Sequence, residues 1–198
     1  MKRRSALLGG GGALLSALAA CSKQEPQAPA VRPATPGPST AADASETYKA
    51  ASRGTGFVVG QAVAARSVLV FFDPQCPHCA KLWAAGRPLL DRVRMVWMPV
   101  AFIGPTSGPQ GALMLAAKDP VSTMDQHESL RASGQGGLAV AGPADAGLLE
   151  KIQANTQLWK SLDARSVPYA VYRIAADGPY GVQSGGMSTE QLALLLRL

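Results

Sequence analysis

The chain has 198 residues, of which 47% are apolar and 16% charged, a composition that fits one folded domain with an appendage and excludes an intrinsically disordered protein. Half of its formal net charge of +6 comes from Lys2, Arg3 and Arg4, in a segment that we expect to be removed. The remaining charges form no basic cluster, so no nucleic-acid binding is expected. Three cysteines are too few for a disulfide scaffold, and the fold must rest on apolar burial.

The first 20 residues predict a lipoprotein signal peptide. The basic residues are followed by an uncharged run, from Ser5 to Ala20, that is too short and too rich in glycine to form a convincing membrane span. Leu18-Ala19-Ala20-Cys21 resembles a bacterial lipobox, whose cysteine is acylated and becomes the new N-terminus. Cys21 is therefore the predicted lipidation site, and a plain signal peptide cleaved near Ala20 is the alternative. Arg3-Arg4 also faintly resembles a twin-arginine signal. Each route predicts export to a compartment that permits disulfides.

Residues 21–50 are predicted to be a tether. They are rich in Pro and Ala, with Ser and Thr, and show no apolar periodicity, which is typical of a semi-extended linker. This segment would join a lipid anchor to a folded domain over residues 51–198.

The predicted domain alternates strands and helices. A buried strand over 67–72 is followed by a helix that starts at Pro77 and by a second strand over 95–103. Helices over 110–117, 121–131 and 144–163, strands over 170–174 and 181–183, and a last helix capped by Ser188 complete the order. This order predicts an α/β, thioredoxin-like fold, with a central mixed sheet flanked by helices and a helical insertion before the last two strands.

The run Cys76-Pro77-His78-Cys79, at the start of the predicted helix, is the candidate redox centre. Disulfide exchange needs one thiolate that attacks and a second thiol that resolves the mixed disulfide. Free N–H groups and the helix dipole at a helix start lower the pKa of a thiol. We therefore predict a reachable nucleophile at Cys76 and a more buried resolving thiol at Cys79. His78 would stabilise the thiolate, Pro77 would fix the turn, and no cofactor beyond the redox-active disulfide is expected.

Two other function classes are compatible with this motif. Cysteine and histidine both bind copper, so Cys76, His78 and Cys79 also suit a metal-delivery protein on the same fold. A zinc site needs two further ligands, for which only His127 and Cys21 are left, and His127 is expected to be exposed on a helix. No resident metal is therefore predicted. A binding module that retained the fold with an inert cysteine pair is the other class.

Val167-Pro168 stands just before the predicted strand over 170–174. Taken alone, Pro168 fits a strand-edge proline in the trans form. Combined with the strand, the Cys-x-x-Cys motif and the helix, it occupies the place of the cis-proline that faces the cysteines in thioredoxin-fold proteins.

From about residue 60 to its end, the sequence resembles the periplasmic thiol:disulfide interchange proteins of the DsbG and DsbC type, DsbG more closely. The shared motifs are Phe72-Asp73-Pro74, Cys76-Pro77, Lys81, Trp83, Arg87-Pro88, Ala116-Ala117-Lys118-Asp119-Pro120 and the stretch 155–168. The resemblance implies a thioredoxin fold, a cis Val167-Pro168 bond and peptide substrates that dock at these two residues. It also implies reductase or isomerase work on cysteine-containing envelope proteins, with electrons from a membrane redox partner of the Dsb type.

Two residues differ from DsbG and resemble the oxidase DsbA instead. His78 stands where DsbG has Tyr, and Val167 stands where DsbG and DsbC have Thr. A more stable thiolate makes the disulfide a stronger oxidant, so a DsbA-like dithiol oxidase is the alternative function. The relatives also carry a dimerisation domain where this chain has a Pro-rich tail. We therefore expect a monomer in the periplasm, anchored to an envelope membrane by the lipid on Cys21.

Overall fold

The computed structural model describes residues 41–198 of the chain, which contain five strands and six α-helices. The strands are β1 Phe57–Gly60, β2 Ser67–Phe72, β3 Arg94–Pro99, β4 Tyr169–Arg173 and β5 Tyr180–Ser184. The helices are α1 Ala41–Ala51, α2 Pro77–Gly86, α3 Ser107–Ala116, α4 Pro120–Ala132, α5 Ala146–Ser161 and α6 Thr189–Leu195, and a 3-10 turn, Arg87–Leu89, follows α2. No helix in this part of the chain is long and apolar enough to cross a membrane.

The five strands form one mixed sheet in the order β1-β3-β2-β4-β5. β2 is central, pairs in parallel with β3 and antiparallel with β4, and has all six of its residues buried. Because β2 and β3 run in the same direction, their ends at Phe72 and Pro99 lie at the same edge of the sheet. The predicted central mixed sheet flanked by helices is confirmed, and the chain leaves this shared edge to form the Cys-x-x-Cys turn.

Aromatic packing holds α2 against this edge. Pro77 occupies a first-turn position of α2, where a missing N–H costs no hydrogen bond. On the inner face of α2, the Trp83 ring packs edge to face on Trp97 of β3, with 5.2 Å between centroids. Trp97 in turn packs edge to face on Phe72 of β2 at 5.3 Å. The second half of α2 is thus packed, through Trp83, on the two strands whose ends meet at this edge.

The predicted helical insertion is confirmed as α3, α4 and α5, which lie between β3 and β4. Asp125 of α4 connects the insertion to α2. It accepts the indole N–H of Trp83 at 2.7 Å and pairs with Arg87 at 3.0 Å. The predicted cap of α6 is also confirmed, since Ser188 and Gln191 form a reciprocal capping box.

Helix α1 corrects the end of the predicted tether, because residues 41–51 are helical and not extended. Ala44 and Ala51 are buried, and the Tyr48 ring lies 5.2 Å from that of Tyr180. These three residues have helical spacing, but two are alanines, so the apolar stripe is too weak to stand out in a Pro- and Ala-rich segment. The sequence pattern also does not predict β1, which has only four residues. The predicted signal peptide over 1–20 and the lipidation site Cys21 lie outside the described residues.

Candidate active site

The buried carboxylate of Asp73 organises the turn between β2 and α2. Its Oδ1 accepts hydrogen bonds from the backbone N–H of Gln75 at 2.9 Å and from the hydroxyl of Ser107 at 2.6 Å. Its Oδ2 accepts the backbone N–H groups of Phe102 at 2.9 Å and Ile103 at 3.0 Å. Hydrogen bonds to a charged acceptor are stronger than neutral ones. One of the four therefore closes the turn itself, and the other three join it to the segment that follows β3 and to α3.

The Cys76 sulfur lies at the mouth of α2. Cys76 is the N-cap residue, with an extended backbone at φ −86° and ψ 118°, and its Sγ accepts the backbone N–H of Cys79 at 3.3 Å. The hydrogen bond from the Cys79 thiol, the backbone N–H groups of Cys79 and His78 and the charge of His78 lower the pKa of Cys76 to about 6, although burial acts in the opposite direction. Cys76 is thus mostly a thiolate at neutral pH.

The second sulfur has the opposite character. Burial raises the pKa of Cys79, and the neighbouring Cys76 sulfur raises it further. The two sulfurs are unbonded thiols in this structure. At neutral pH the pair therefore combines one charged sulfur with one sulfur that keeps its proton.

Access to the pair is narrow. Cys79 is fully buried, and Cys76 is only 3% exposed, which is less reachable than the sequence interpretation supposes. Pro77 and His78 are both exposed and form the outer rim of the turn. A groove of about 670 Å³ borders His78 and extends between α2 and the segment 186–191. A substrate must therefore approach at this rim.

Val167 and Pro168 lie on the other side of the Cys76 sulfur. The Val167-Pro168 peptide bond is cis, as the resemblance implies. The Cys76 Sγ lies 3.4 Å from the carbonyl oxygen of Val167, to which the thiol form can donate a hydrogen bond. The indole N–H of Trp159 donates to the carbonyl of Ser166 at 3.3 Å and holds the start of this loop. The loop thus faces the nucleophile, and its role in substrate docking stays a prediction.

The prediction that His127 is an exposed helix residue is wrong. The side chain is fully buried, its Nε2 lies 2.8 Å from the carbonyl oxygen of Pro74, and its Nδ1 accepts the backbone N–H of Leu138 at 3.2 Å. These partners require the neutral tautomer that carries its proton on Nε2. Burial lowers the pKa of His127, which favours the same neutral form. His127 therefore joins the active-site turn to the loop after α4.

Two further side chains, Gln75 and Arg131, make four hydrogen bonds at the same turn that the sequence analysis missed. The Gln75 side chain donates to the Gln110 side chain and, at 3.0 Å, to the carbonyl of Gly136. The Arg131 guanidinium donates to the carbonyls of Gln75 at 2.8 Å and Cys76 at 3.3 Å. Local sequence holds no signal for these contacts, because the partners lie 35 to 61 residues apart.

The metal-delivery alternative depends on the ligands that the Cys-x-x-Cys turn supplies. Across residues 43–198, whose side chains are described, no group of three or more His, Cys, Asp or Glu side chains could hold a metal ion. Both ring nitrogens of His127 are already engaged in hydrogen bonds. The metal-delivery alternative therefore rests on Cys76, His78 and Cys79 alone, and it stays a prediction.

Comparison with known proteins finds no matching family model. The thiol:disulfide interchange protein DsbG of Pseudomonas aeruginosa is 30% identical over 155 residues, which are 77% of this chain and 59% of that protein. DsbG of Escherichia coli K12 is 36% identical over 109 residues, which are 53% of this chain and 42% of that protein. The catalytic domain of Proteus mirabilis ScsC superposes with a TM-score of 0.59 at 16% identity, over 80% of this chain and 97% of that domain.

The chain is similar to DsbG in sequence and has the thioredoxin-like fold of its structural neighbours. The predicted thioredoxin-like fold and the resemblance to DsbG are thereby confirmed. The chain spans about half the length of the curated relatives it matches, 59% of one and 42% of the other. The roles of Cys76, Cys79 and their neighbours therefore rest on the geometry described above.

Proposed function

We propose that the chain is a thiol–disulfide oxidoreductase that exchanges disulfides with cysteine-containing proteins through Cys76 and Cys79. The observation that carries this proposal is the asymmetry of the two sulfurs. The pKa of Cys76 falls to about 6 at the start of α2, whereas burial raises the pKa of Cys79. Only a thiolate attacks a disulfide. A second cysteine that stays protonated until the mixed disulfide has formed can resolve that mixed disulfide without competing for the substrate.

In the reductive direction, the Cys76 thiolate attacks one sulfur of a substrate disulfide, and the other substrate sulfur leaves as a thiolate. The negative charge on Cys76 disappears as the mixed disulfide forms, and with it one of the causes that raise the pKa of Cys79. Cys79 then gives up its proton and attacks the Cys76 sulfur. A Cys76–Cys79 disulfide forms, the second substrate sulfur leaves, and two electrons have passed to the substrate.

The two DsbG relatives support reductase or isomerase work as the direction in the cell. In that case a membrane redox partner of the Dsb type returns two electrons to the Cys76–Cys79 disulfide after each cycle. The substrates would be misoxidised envelope proteins, docked along Val167 and Pro168. The exposed rim at Pro77 and His78 gives such a substrate its approach to the sulfur.

A second candidate is a DsbA-like dithiol oxidase, favoured by the lowered pKa of Cys76. A stable thiolate stabilises the reduced protein, which makes the disulfide a better electron acceptor. Thiol trapping of Cys76 and Cys79 in cells separates the two directions. A mostly reduced pair supports the reductase or isomerase, and a mostly oxidised pair supports the oxidase.

The location in the cell belongs to the same proposal. We infer that the chain is exported to the periplasm, acylated on Cys21 and held as a monomer on an envelope membrane by its tether. Cys21→Ser should move the exported protein from the membrane fraction to the soluble periplasmic fraction. A variant that stays with the membrane would contradict the lipid anchor.

The activity itself is tested by reduction of insulin and by alkylation of Cys76 with iodoacetamide. The wild type should reduce insulin, and half-maximal alkylation should fall near pH 6, the value of the Cys76 pKa. Cys76→Ser should abolish both signals. Cys21→Ser, which also removes one cysteine, is the matched control and should keep both. A wild type that leaves insulin intact, with an unreactive Cys76 at neutral pH, would overturn the proposal.

A further inference from the structure

An ion pair on α4 lies directly behind the nucleophile. Arg131 Nη1 lies 3.4 Å from Glu128 Oε2, and both side chains are largely buried, with 16% and 14% exposed. The same guanidinium donates to the carbonyls of Gln75 and Cys76. A single cation therefore joins a buried carboxylate to the main chain of the residue that carries the reactive sulfur.

The charges around this pair change with the redox state. In the oxidised chain the Cys76 sulfur is neutral, and Arg131 and Glu128 form a balanced pair. Reduction places a thiolate on Cys76, so that two anions share the one guanidinium. Burial is the main cause that raises the pKa of Glu128 to about 7, and the Cys76 charge raises it further, against the opposing effect of Arg131. A buried anion without a cation partner is unfavourable, because it loses its hydration and nothing compensates its charge.

The other titratable groups of this region are few and mostly fixed. Asp73 comes from the end of β2 and already has four donors. His127 on α4 is held neutral by its two partners. His78 is exposed at the start of α2, and burial keeps Cys79 protonated. Glu128 differs from these groups because its carboxyl is buried against Arg131, and its pKa of about 7 lets it take a proton at neutral pH.

We propose that Glu128 is a positioning residue of the redox centre: its affinity for a proton rises when the Cys76–Cys79 disulfide is reduced and falls when the disulfide forms again. Arg131 holds Glu128 close to the Cys76 main chain, so that the Glu128 carboxylate and the Cys76 thiolate interact electrostatically. This inference rests on the proposed function, because it needs a pair that is oxidised and reduced reversibly.

The step balances with glutathione as the reductant. Two glutathione thiols lose two electrons and two protons and become one glutathione disulfide. The Cys76–Cys79 bond takes the two electrons, the Cys79 sulfur takes one proton, and the Cys76 sulfur remains a thiolate. The second proton is divided between the Glu128 carboxylate and the solvent, whereas a chain without this carboxylate would release it to the solvent alone.

The consequence is a pH-dependent redox equilibrium. Near pH 5 neither Cys76 nor Glu128 is charged in the reduced chain, and the carboxylate has no effect. Near pH 8.5 both are charged, and their repulsion disfavours the reduced form. Glu128→Gln should therefore raise the equilibrium constant for reduction by glutathione about fivefold near pH 8.5 and leave it unchanged near pH 5.

The equilibrium constant should be measured for the wild type, Glu128→Gln and the control Glu150→Gln across this pH range. Glu150 lies exposed on α5, so its variant makes the same chemical change away from the site and should follow the wild type at every pH. A second measurement needs no variant. In carbon-13 NMR of the wild type, the Glu128 carboxyl should titrate at a higher pH in the reduced chain than in the oxidised chain.

The outcomes separate this inference from the proposed function. A wild type that does not equilibrate with glutathione overturns both. If the wild type equilibrates, but Glu128→Gln follows it near pH 8.5, only the role of Glu128 is overturned. Equal carboxyl midpoints in the oxidised and reduced wild type overturn that role as well, even where the variant fails to fold.

Discussion

Asp73→Asn tests how far the active-site turn depends on one buried carboxylate. Asparagine keeps the volume of the side chain but offers one acceptor oxygen and one NH2 group. If the NH2 group replaces Oδ1, the hydroxyl of Ser107 can rotate to accept, but the N–H of Gln75 loses its partner. If it replaces Oδ2, the N–H groups of Phe102 and Ile103 both lose theirs. Each orientation leaves at least one backbone donor unpaired.

The expected cost follows from these bonds. An unpaired buried donor costs about 1–3 kcal/mol, and a hydrogen bond to a charged group contributes about 1.5–3 kcal/mol, more than a neutral one. The neutral side chain recovers part of this, because it no longer buries a charge. We therefore expect Asp73→Asn to lower the free energy of unfolding by about 3 kcal/mol. Ser107→Ala, which removes one donor and keeps the carboxylate, should lower it by about 1.5 kcal/mol.

Urea unfolding, followed by tryptophan fluorescence, measures these differences, because Trp83 and Trp97 are buried in the core. Asp91→Asn is the matched control, since Asp91 is exposed, and should change the free energy of unfolding by less than about 0.5 kcal/mol. A loss below about 1 kcal/mol for Asp73→Asn would show that the four bonds do not hold the turn, and it would refute the reasoning.

Cys79→Ala removes the thiol donor that most lowers the pKa of Cys76, so half-maximal alkylation should move above pH 6; an unchanged midpoint would contradict this. Gly137→Ala places a Cβ in steric overlap with the His127 ring at φ +97°, whereas Gly134→Ala, at φ +77°, meets nothing within 4 Å. In urea unfolding, Gly137→Ala should lower the free energy of unfolding by about 3 kcal/mol and Gly134→Ala by about 1 kcal/mol. Equal decreases in the two variants would exclude the overlap. Because the pKa of His127 lies below 6.5 in the folded chain, the stability from its neutral form should disappear as pH falls through that lowered value. His127→Gln has no imidazole to protonate at this site, so its free energy of unfolding should not show this decrease at acid pH. If the variant and the wild type lose stability in parallel as pH falls, the role of His127 is contradicted.

The elements that the sequence predicts well are those with a strong local pattern. The buried run over 67–72 matches β2 residue for residue, because a strand covered on both faces must be apolar throughout. The cap at Ser188 is visible because Gln191 stands three residues later, as a capping box requires. The start of α2 is marked by Pro77 directly after Cys76. In each case the signal lies within a few residues.

The features that the sequence does not reveal depend on distant partners. His127 stands in the polar run 125–128 and looks solvated, and only the fold brings the carbonyl of Pro74 to its ring from 53 residues away. Glu128 and Arg131 have the spacing of an ordinary surface ion pair on a helix. Their burial against the turn at Cys76 follows from the docking of α4, which no local pattern encodes.

The helical insertion contacts every residue of the turn that leads to the nucleophile. Ser107 of α3 binds the carboxylate of Asp73, and α4 then provides a donor for each of the three carbonyls over 74–76. By contrast, the charge of His78 is the smallest of the causes that lower the pKa of Cys76. The dipeptide between the cysteines, on which part of the comparison with DsbA depends, therefore accounts for only part of the lowered pKa of Cys76.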